Sequence, residues 1–335
     1  MMTRLILILT IGLMAIMPCS AQKKKTSNGK RLKVGLVLGG GGAKGAAEVG
    51  VLKTIEKLDI PIDYIAGTSI GSIVGGLYSC GYRSAELDTL FHNQEWLDLL
   101  GDRKDELRNK AYEVRDGVTY VFGFPVHRKK NQNPERTVKT VGLIHGDNVV
   151  EMLDSMTNQP DNINFDRLPI PFRCVAVNIR EFEEVELSSG NLAVAMRASM
   201  AIPGVFKPVE LDSMLLVDGG MLNNLPVDVV RRMGADVVIA IDLTQNKHET
   251  KDKDIKGDNT FTKLLEWVVA RPDLQKYNEN MPEADVYINP DLKGYKASNF
   301  SPKKIAEMIE RGEKAGKKAE KDLKALRKKI FAGKK

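Results

Sequence analysis

Histidine, cysteine and tryptophan are scarce in this chain of 335 residues, with four, three and two of each. The cysteines and histidines fall at no spacing that would hold a metal ion, so no metal site is expected. Four histidines also leave few candidates for a histidine base. No apolar run reaches the roughly 20 residues that a membrane-spanning helix needs. Aromatic residues make up only 6%. The net charge of +6 is not laid out as a basic stripe interleaved with them. Much of it sits in Lys23-Lys24-Lys25 and in the lysine-rich C-terminus. That layout argues against a nucleic-acid partner and suits contact with an anionic membrane surface.

What remains is an ordinary globular composition, 42% hydrophobic and 28% charged, at a length suited to one large α/β domain or two small ones. Residues 1–21 read as a signal peptide. Arg4 precedes an apolar stretch over 5–17, and Cys19-Ser20-Ala21 supplies small residues for cleavage before Gln22. Export to a periplasm or secretion follows from that reading. Lipid attachment at Cys19 fits poorly with Pro18 just before it. Residues 22–31 form a basic linker. In an oxidising compartment Cys80 and Cys174 could pair. Cys174 lies in an apolar run and reads more simply as a small buried residue.

The main domain is expected over residues 32–300. Residues 32–38 are almost all apolar, as in a strand buried on both faces of a parallel sheet. Gly39-Gly40-Gly41-Gly42-Ala43-Lys44-Gly45 follows, then a helix with Val51, Leu52, Ile55 and Leu58 on one face. A second strand spans 62–66. After Ser69, residues Ile70, Ile73, Val74 and Leu77 define another helical face, with Gly81 closing it. Residues 82–168 break the pattern and read as an excursion. It holds a helix over 85–100, a strand over 118–126 turning at Gly123, a polar loop over 127–139 that could act as a lid, and a helix capped by Asp147. Strands at 172–178 and 183–187, a helix at 192–200 and a short strand at 214–217 follow. Asp218-Gly219-Gly220 comes next, then a helix capped by Asn224, a strand at 237–241, a helix at 261–269 and a strand at 285–288. Residues 301–335 read as one basic amphipathic helix burying Ile305, Met308, Ile309 and Gly312.

Gly40, Gly42 and Gly45 match a dinucleotide-binding fingerprint, but that motif needs an acidic residue at the end of the second strand. The strand ends in Ile65-Ala66-Gly67-Thr68-Ser69, without one. No cofactor is therefore expected. The same loop can instead aim backbone N–H groups at an anion, as an oxyanion hole requires. Gly67-Thr68-Ser69-Ile70-Gly71 is a serine between glycines at a strand-to-helix turn, the setting of a nucleophile. Its base is open between two readings. His248 follows an acid in the order used by α/β-hydrolases, but sits in a charged, loop-like stretch. Asp218 stands at a strand end, where it is a turn aspartate or a base acting directly on Ser69.

Three blocks together, Gly40 to Gly45, Gly67 to Gly71 and Asp218-Gly219-Gly220, resemble the signature of bacterial patatin-like phospholipases. Arg197-Ala198-Ser199 and Pro203-Gly204-Val205-Phe206 resemble a further block. The resemblance covers residues 33–242. It implies a three-layer α/β/α fold around a mainly parallel sheet, and hydrolysis of lipid acyl esters by a Ser–Asp dyad without histidine. It assigns Ser69 as nucleophile, Asp218 as proton acceptor, and the backbone at Gly40, Gly41 and Gly42 as the oxyanion hole. A lipid ester would be the substrate. The other reading is a non-catalytic lipid-binding protein that keeps the fold.

Overall fold

The computed structural model describes residues 31–101, 113–115, 118–121, 124–127, 144–245 and 273–332. The first apolar run forms β1 (Val34–Leu38), buried along its whole length. It is followed by α1 (Ala46–Lys57), β2 (Tyr64–Thr68), α2 (Ile70–Ser79), α3 (Ser84–Asn93), α4 (Trp96–Leu100) and α5 (Asp147–Thr157). Then come β3 (Phe172–Asn178), β4 (Glu183–Leu187), α6 (Leu192–Ser199), β5 (Val209–Leu211), β6 (Met214–Asp218), α7 (Val227–Met233) and β7 (Val237–Ile241). The C-terminal part contains α8 (Leu274–Asn280), β8 (Val286–Ile288), α9 (Pro302–Lys318) and α10 (Glu320–Phe331).

The central sheet has the order β5-β6-β3-β2-β1-β7-β8, with β4 paired to the other edge of β3. Strands β8, β7, β1, β2 and β3 run parallel. Strands β4, β5 and β6 add antiparallel pairings. Alternation along the strands feeds two cores. Leu36, Leu38, Ile65 and Ile239 pack with α1, α2, α6 and α9 on one face. Val37, Ala66, Val238 and Ala240 pack with α7 and with Tyr277 of α8 on the other. This is the expected three-layer α/β/α arrangement around a mainly parallel sheet.

Within the stretch 82–168, expected as an excursion, three described strands form a small sheet of their own. Strands Glu113–Arg115, Val118–Val121 and Phe124–His127 pair only with one another among the described residues. Four local expectations differ from the structure. The helix over 85–100 is two helices, because the chain is extended at Gln94. That break turns Trp96 into the core, where its ring meets Phe91 and Phe300 and its indole N–H donates to the Phe91 carbonyl. Asp147 does not cap α5. Gly146 is the cap residue, in a left-handed conformation, and Asp147 begins the first turn, where its charge favours the helix dipole. Asn224 does not cap α7 either; Pro226 precedes that helix directly. Finally, the single helix expected over 301–335 is two helices, Pro302–Lys318 and Glu320–Phe331, with a break at Ala319.

That break lets α10 bury Leu323, Leu326 and Ile330, while α9 buries Ile305, Met308, Ile309 and Gly312 as the sequence predicts. Helices α9 and α1 approach to backbone contact. A Cβ on Gly312 would stand 1.9 Å from the Ala47 carbonyl oxygen. No helix among the described residues is long and apolar enough to cross a membrane. The leader at 1–21, residues 128–139 of the proposed lid, His248 and the helix expected at 261–269 lie outside the described residues.

Candidate active site

The site is made where two strands meet end to end. Both β2 and β6 pair with the same edge of β3, since β4 holds the other edge. Val175 of β3 stands opposite Thr68, and the next residue, Ala176, stands opposite Asp218. Strand β2 runs parallel to β3 and β6 runs antiparallel. Their C-terminal ends therefore face each other about one strand residue apart, some 3.3 Å. The chain leaves β2 at Ser69, so its hydroxyl lands on the carboxylate that ends β6. Ser69 Oγ donates to Asp218 Oδ2 at 2.7 Å, and both residues are buried.

Ser69 sits in a sharp turn, with φ 56° and ψ −126°, outside the regions that side-chain-bearing residues favour. Its surroundings hold it there. The Ser69 N–H donates to Ser199 Oγ at 2.9 Å, and that hydroxyl donates to the Val175 carbonyl at 2.6 Å. The Ser69 carbonyl accepts from the Ser72 N–H and hydroxyl. Thr68 Oγ1 donates to the Asn223 carbonyl at 2.8 Å. The flanking glycines let α2 start against the strand ends. A Cβ on Gly71 would stand 2.3 Å from the Leu38 carbonyl oxygen, and one on Gly67 the same distance from the Gly71 oxygen. Because these neighbours are backbone, Gly71→Ala is expected to destabilise the fold by about 1–3 kcal/mol. Urea denaturation measures this, and an unchanged midpoint would contradict the tight approach.

Asp218 is fixed by its own turn. Its Oδ1 accepts from the Gly220 N–H at 2.7 Å, at the start of the Gly219–Met221 turn. Burial pushes its carboxyl up to about 6, against the opposing pull of the bonds from Ser69 and Gly220. At neutral pH it is still ionised, and it is a stronger base than an ordinary aspartate.

The glycine loop passes over the same point. Gly40 lies against the serine: a Cβ there would be 3.2 Å from Ser69 Cβ. The Gly39 N–H donates to Ile241, Gly40 to Asn224 at 3.2 Å, Ala43 to Ala297 and Lys44 to Gly41. The N–H groups of Gly41 and Gly42 have no protein acceptor among the described residues. Of the expected trio, Gly40 spends its donor on the Asn224 carbonyl. Gly45 ends the 3-10 turn Gly42–Gly45 and packs on Ile70 of the serine helix. Two buried carboxyls lie beneath the loop. Asp242 accepts from the hydroxyls of Tyr277 and Tyr287. Glu48 is wholly buried, and burial pushes its carboxyl well above the usual range, against a smaller opposing pull from the Gly39 N–H nearby.

Neither described histidine side chain is hydrogen-bonded to the pair. His92 is beside Asp88, and His145 is beside Lys207. Cys80 and Cys174 are free thiols, the latter buried in β3. Among the described residues no group of three or more His, Cys, Asp or Glu side chains could hold a metal. Two residues act here in ways their sequence setting does not announce: Ser199 holds the Ser69 N–H, and Asn224 bonds the glycine loop in place of capping α7. The signal for the first was a hydroxyl ending an apolar helix; for the second, a polar residue just after the aspartate turn.

The family profile described as patatin-like phospholipase matches residues 36–231. The chain is 33% identical over 210 residues to lysophospholipase nte1 of Aspergillus niger, covering 63% of this chain and 12% of that protein. It is 32% identical over 242 residues to human patatin-like phospholipase domain-containing protein 6, covering 71% and 15%. An uncharacterized NTE family protein of Mycobacterium tuberculosis is 30% identical over 211 residues, covering 63% and 49%. The chain thus spans between about an eighth and a half of the length of these relatives. Among solved structures, VipD from Legionella pneumophila aligns over 87% of this chain and 67% of that one, at 15% identity and a TM-score of 0.49.

Proposed function

The chain belongs to the patatin-like phospholipase family, and from that premise we propose that it hydrolyses acyl esters of phospholipids or lysophospholipids through Ser69 and Asp218. The observation that carries this is the 2.7 Å hydrogen bond from the serine hydroxyl to a buried carboxylate. Ser69 Oγ attacks the ester carbonyl while Asp218 Oδ2 takes its proton. The Gly41 and Gly42 N–H groups face the negative charge that develops on the carbonyl oxygen. Asp218 returns the proton to the departing alcohol, leaving an acyl group on Ser69. Water, deprotonated by the same carboxylate, then attacks the acyl carbon, and Asp218 returns that proton to Ser69 Oγ as the fatty acid leaves. The direct test is free fatty acid release from phosphatidylcholine and lysophosphatidylcholine, quantified by mass spectrometry. Release by the wild type and none by Ser69→Ala supports the reading; equal release by both refutes it.

The C-terminal helices support a second part of the proposal, peripheral contact with anionic membrane. Lys317, Lys318, Lys321 and Lys328 are exposed on α9 and α10, whose Ile305, Met308, Ile309, Leu323, Leu326 and Ile330 are committed to the core. Each cation near an anionic surface contributes about 1 kcal/mol. Replacing these four by glutamate is expected to abolish sedimentation with phosphatidylserine vesicles and to leave hydrolysis of a soluble ester intact. Unchanged sedimentation would refute membrane contact through this surface. The leader-like residues 1–21 support export of the chain. The N-terminal sequence of the protein recovered outside the cytoplasm tests this, with Gln22 expected first.

A further inference from the structure

Asn224 bonds the glycine loop through both its backbone and its side chain. Its backbone carbonyl accepts from the Gly40 N–H at 3.2 Å. Its side-chain Nδ2 donates to the Gly40 carbonyl at 3.3 Å and to Thr244 Oγ1 at 3.4 Å. The two peptide planes that meet at the Gly40 Cα are thus both tied to Asn224. Its side-chain orientation is dictated by chemistry, since the reversed amide would set Oδ1 against the Gly40 carbonyl, acceptor against acceptor. Thr244 is held in turn, its N–H donating to Asp242 Oδ1 at 2.8 Å. None of this serves α7, which has no side-chain cap bond.

The consequence follows from peptide geometry. In a trans peptide the carbonyl and the N–H point in opposite directions within one plane. The Gly40 carbonyl and the Gly41 N–H share such a plane. A hydrogen bond that pins the first therefore fixes the direction of the second, and the Gly41 N–H is one of the two loop donors without a protein acceptor among the described residues. A glycine on each side of this plane leaves its orientation otherwise free. The same short segment also carries the base. Asp218 is held by Gly220, Thr68 is bonded to Asn223, and Asn224 Oδ1 is 2.7 Å from where a Cβ on Gly220 would stand. Residues 218–224 therefore set the carboxylate, the serine strand and the glycine loop against one another.

We propose that Asn224 is a positioning residue for the reaction, aiming the Gly41 N–H at the oxyanion by anchoring the Gly40 carbonyl. The proposal rests on the reading of Ser69 as nucleophile and the glycine loop as oxyanion hole. Asn224→Asp keeps the shape and replaces the donor with an oxygen that repels the Gly40 carbonyl. Asn224→Ala removes the side-chain bonds and keeps the backbone one. Misplacing a reacting contact by about 1 Å costs roughly 10²-fold. Both variants are therefore expected to lose about 10²-fold in kcat on a short-chain ester, with KM within about twofold of wild type. Amide hydrogen exchange at Gly40, whose N–H is bonded to the Asn224 carbonyl, is expected to accelerate in both, while exchange in the buried strands stays as in wild type.

Wild-type kcat in both variants overturns the proposal, whatever the exchange shows. So does a fall in kcat with Gly40 exchange unchanged, since Asn224 would then act by another route. If the aspartate variant does not fold, the alanine variant decides alone. Ser69→Ala is assayed alongside. Full turnover there refutes the serine reading itself, and the exchange measurement still shows whether Asn224 holds the loop.

Discussion

Ser69→Ala is expected to lower kcat for ester hydrolysis by roughly 10⁴–10⁶-fold, the scale seen when a serine nucleophile is removed from a hydrolase. The change deletes one oxygen and little else. The bonds that hold the turn run through the Ser69 N–H and carbonyl, to Ser199 and Ser72, and survive the substitution. The fold should therefore persist, with the backbone strain at this position unrelieved because alanine tolerates φ 56° no better than serine. A stable protein without activity is the expected outcome, read by steady-state kinetics beside a thermal melt. Substantial residual turnover in a folded variant would mean that another group attacks the ester.

Asp218→Asn is expected to separate activity from stability in opposite directions. Loss of the general base should lower kcat by about 10²–10⁴-fold. Stability should rise, and the sign follows from proton counts. The Asp218 carboxyl is pushed up to about 6 from an ordinary value of 3.8. Between these two values the folded protein holds a proton that the unfolded chain has released. Stability therefore falls as pH rises across that window, and the full penalty applies above it. Asparagine carries no charge to desolvate, so the variant should gain up to about 3 kcal/mol at neutral pH, since each tenfold change in proton affinity is worth about 1.4 kcal/mol. Urea unfolding at pH 5 and pH 8 measures this, with the larger gain expected at pH 8. A variant less stable than wild type at pH 8 would show that the bonds from Ser69 and Gly220 outweigh the burial of the charge.

The local elements around the site are legible in the sequence because each rests on short-range pattern. The apolar run of β1, the glycines after it, the helical spacing from Ile70 to Leu77 and the strand Phe172–Asn178 all emerge from periodicity and punctuation. The meeting of Ser69 with Asp218 does not. They are 149 positions apart, and their contact depends on β6 entering the sheet antiparallel and taking over the edge of β3 that β2 vacates. No local signal carries a register of that kind. The glycine loop is a mixed case. Its glycines mark a close backbone approach, but the engagement of the Gly40 N–H by Asn224 depends on a loop 184 positions away. Asn224 itself reads as a helix cap because asparagine before a helix usually is one, and here tertiary contact overrides that preference. The breaks at Gln94 and Ala319 are likewise set by where Trp96 and Leu323 find a core, with no proline or glycine at either point to mark them.

Direct activation of Ser69 by a carboxylate predicts a particular pH dependence for the serine's reactivity. The closest measurement is the rate at which a fluorophosphonate modifies the wild-type protein, followed by intact mass and peptide mapping from pH 4.5 to 8. One adduct is expected, on Ser69. Its rate should rise about tenfold per pH unit below about pH 6 and level off above it, as Asp218 loses its proton. An adduct on another residue, or a rate on Ser69 that is flat across this range, would contradict activation by Asp218.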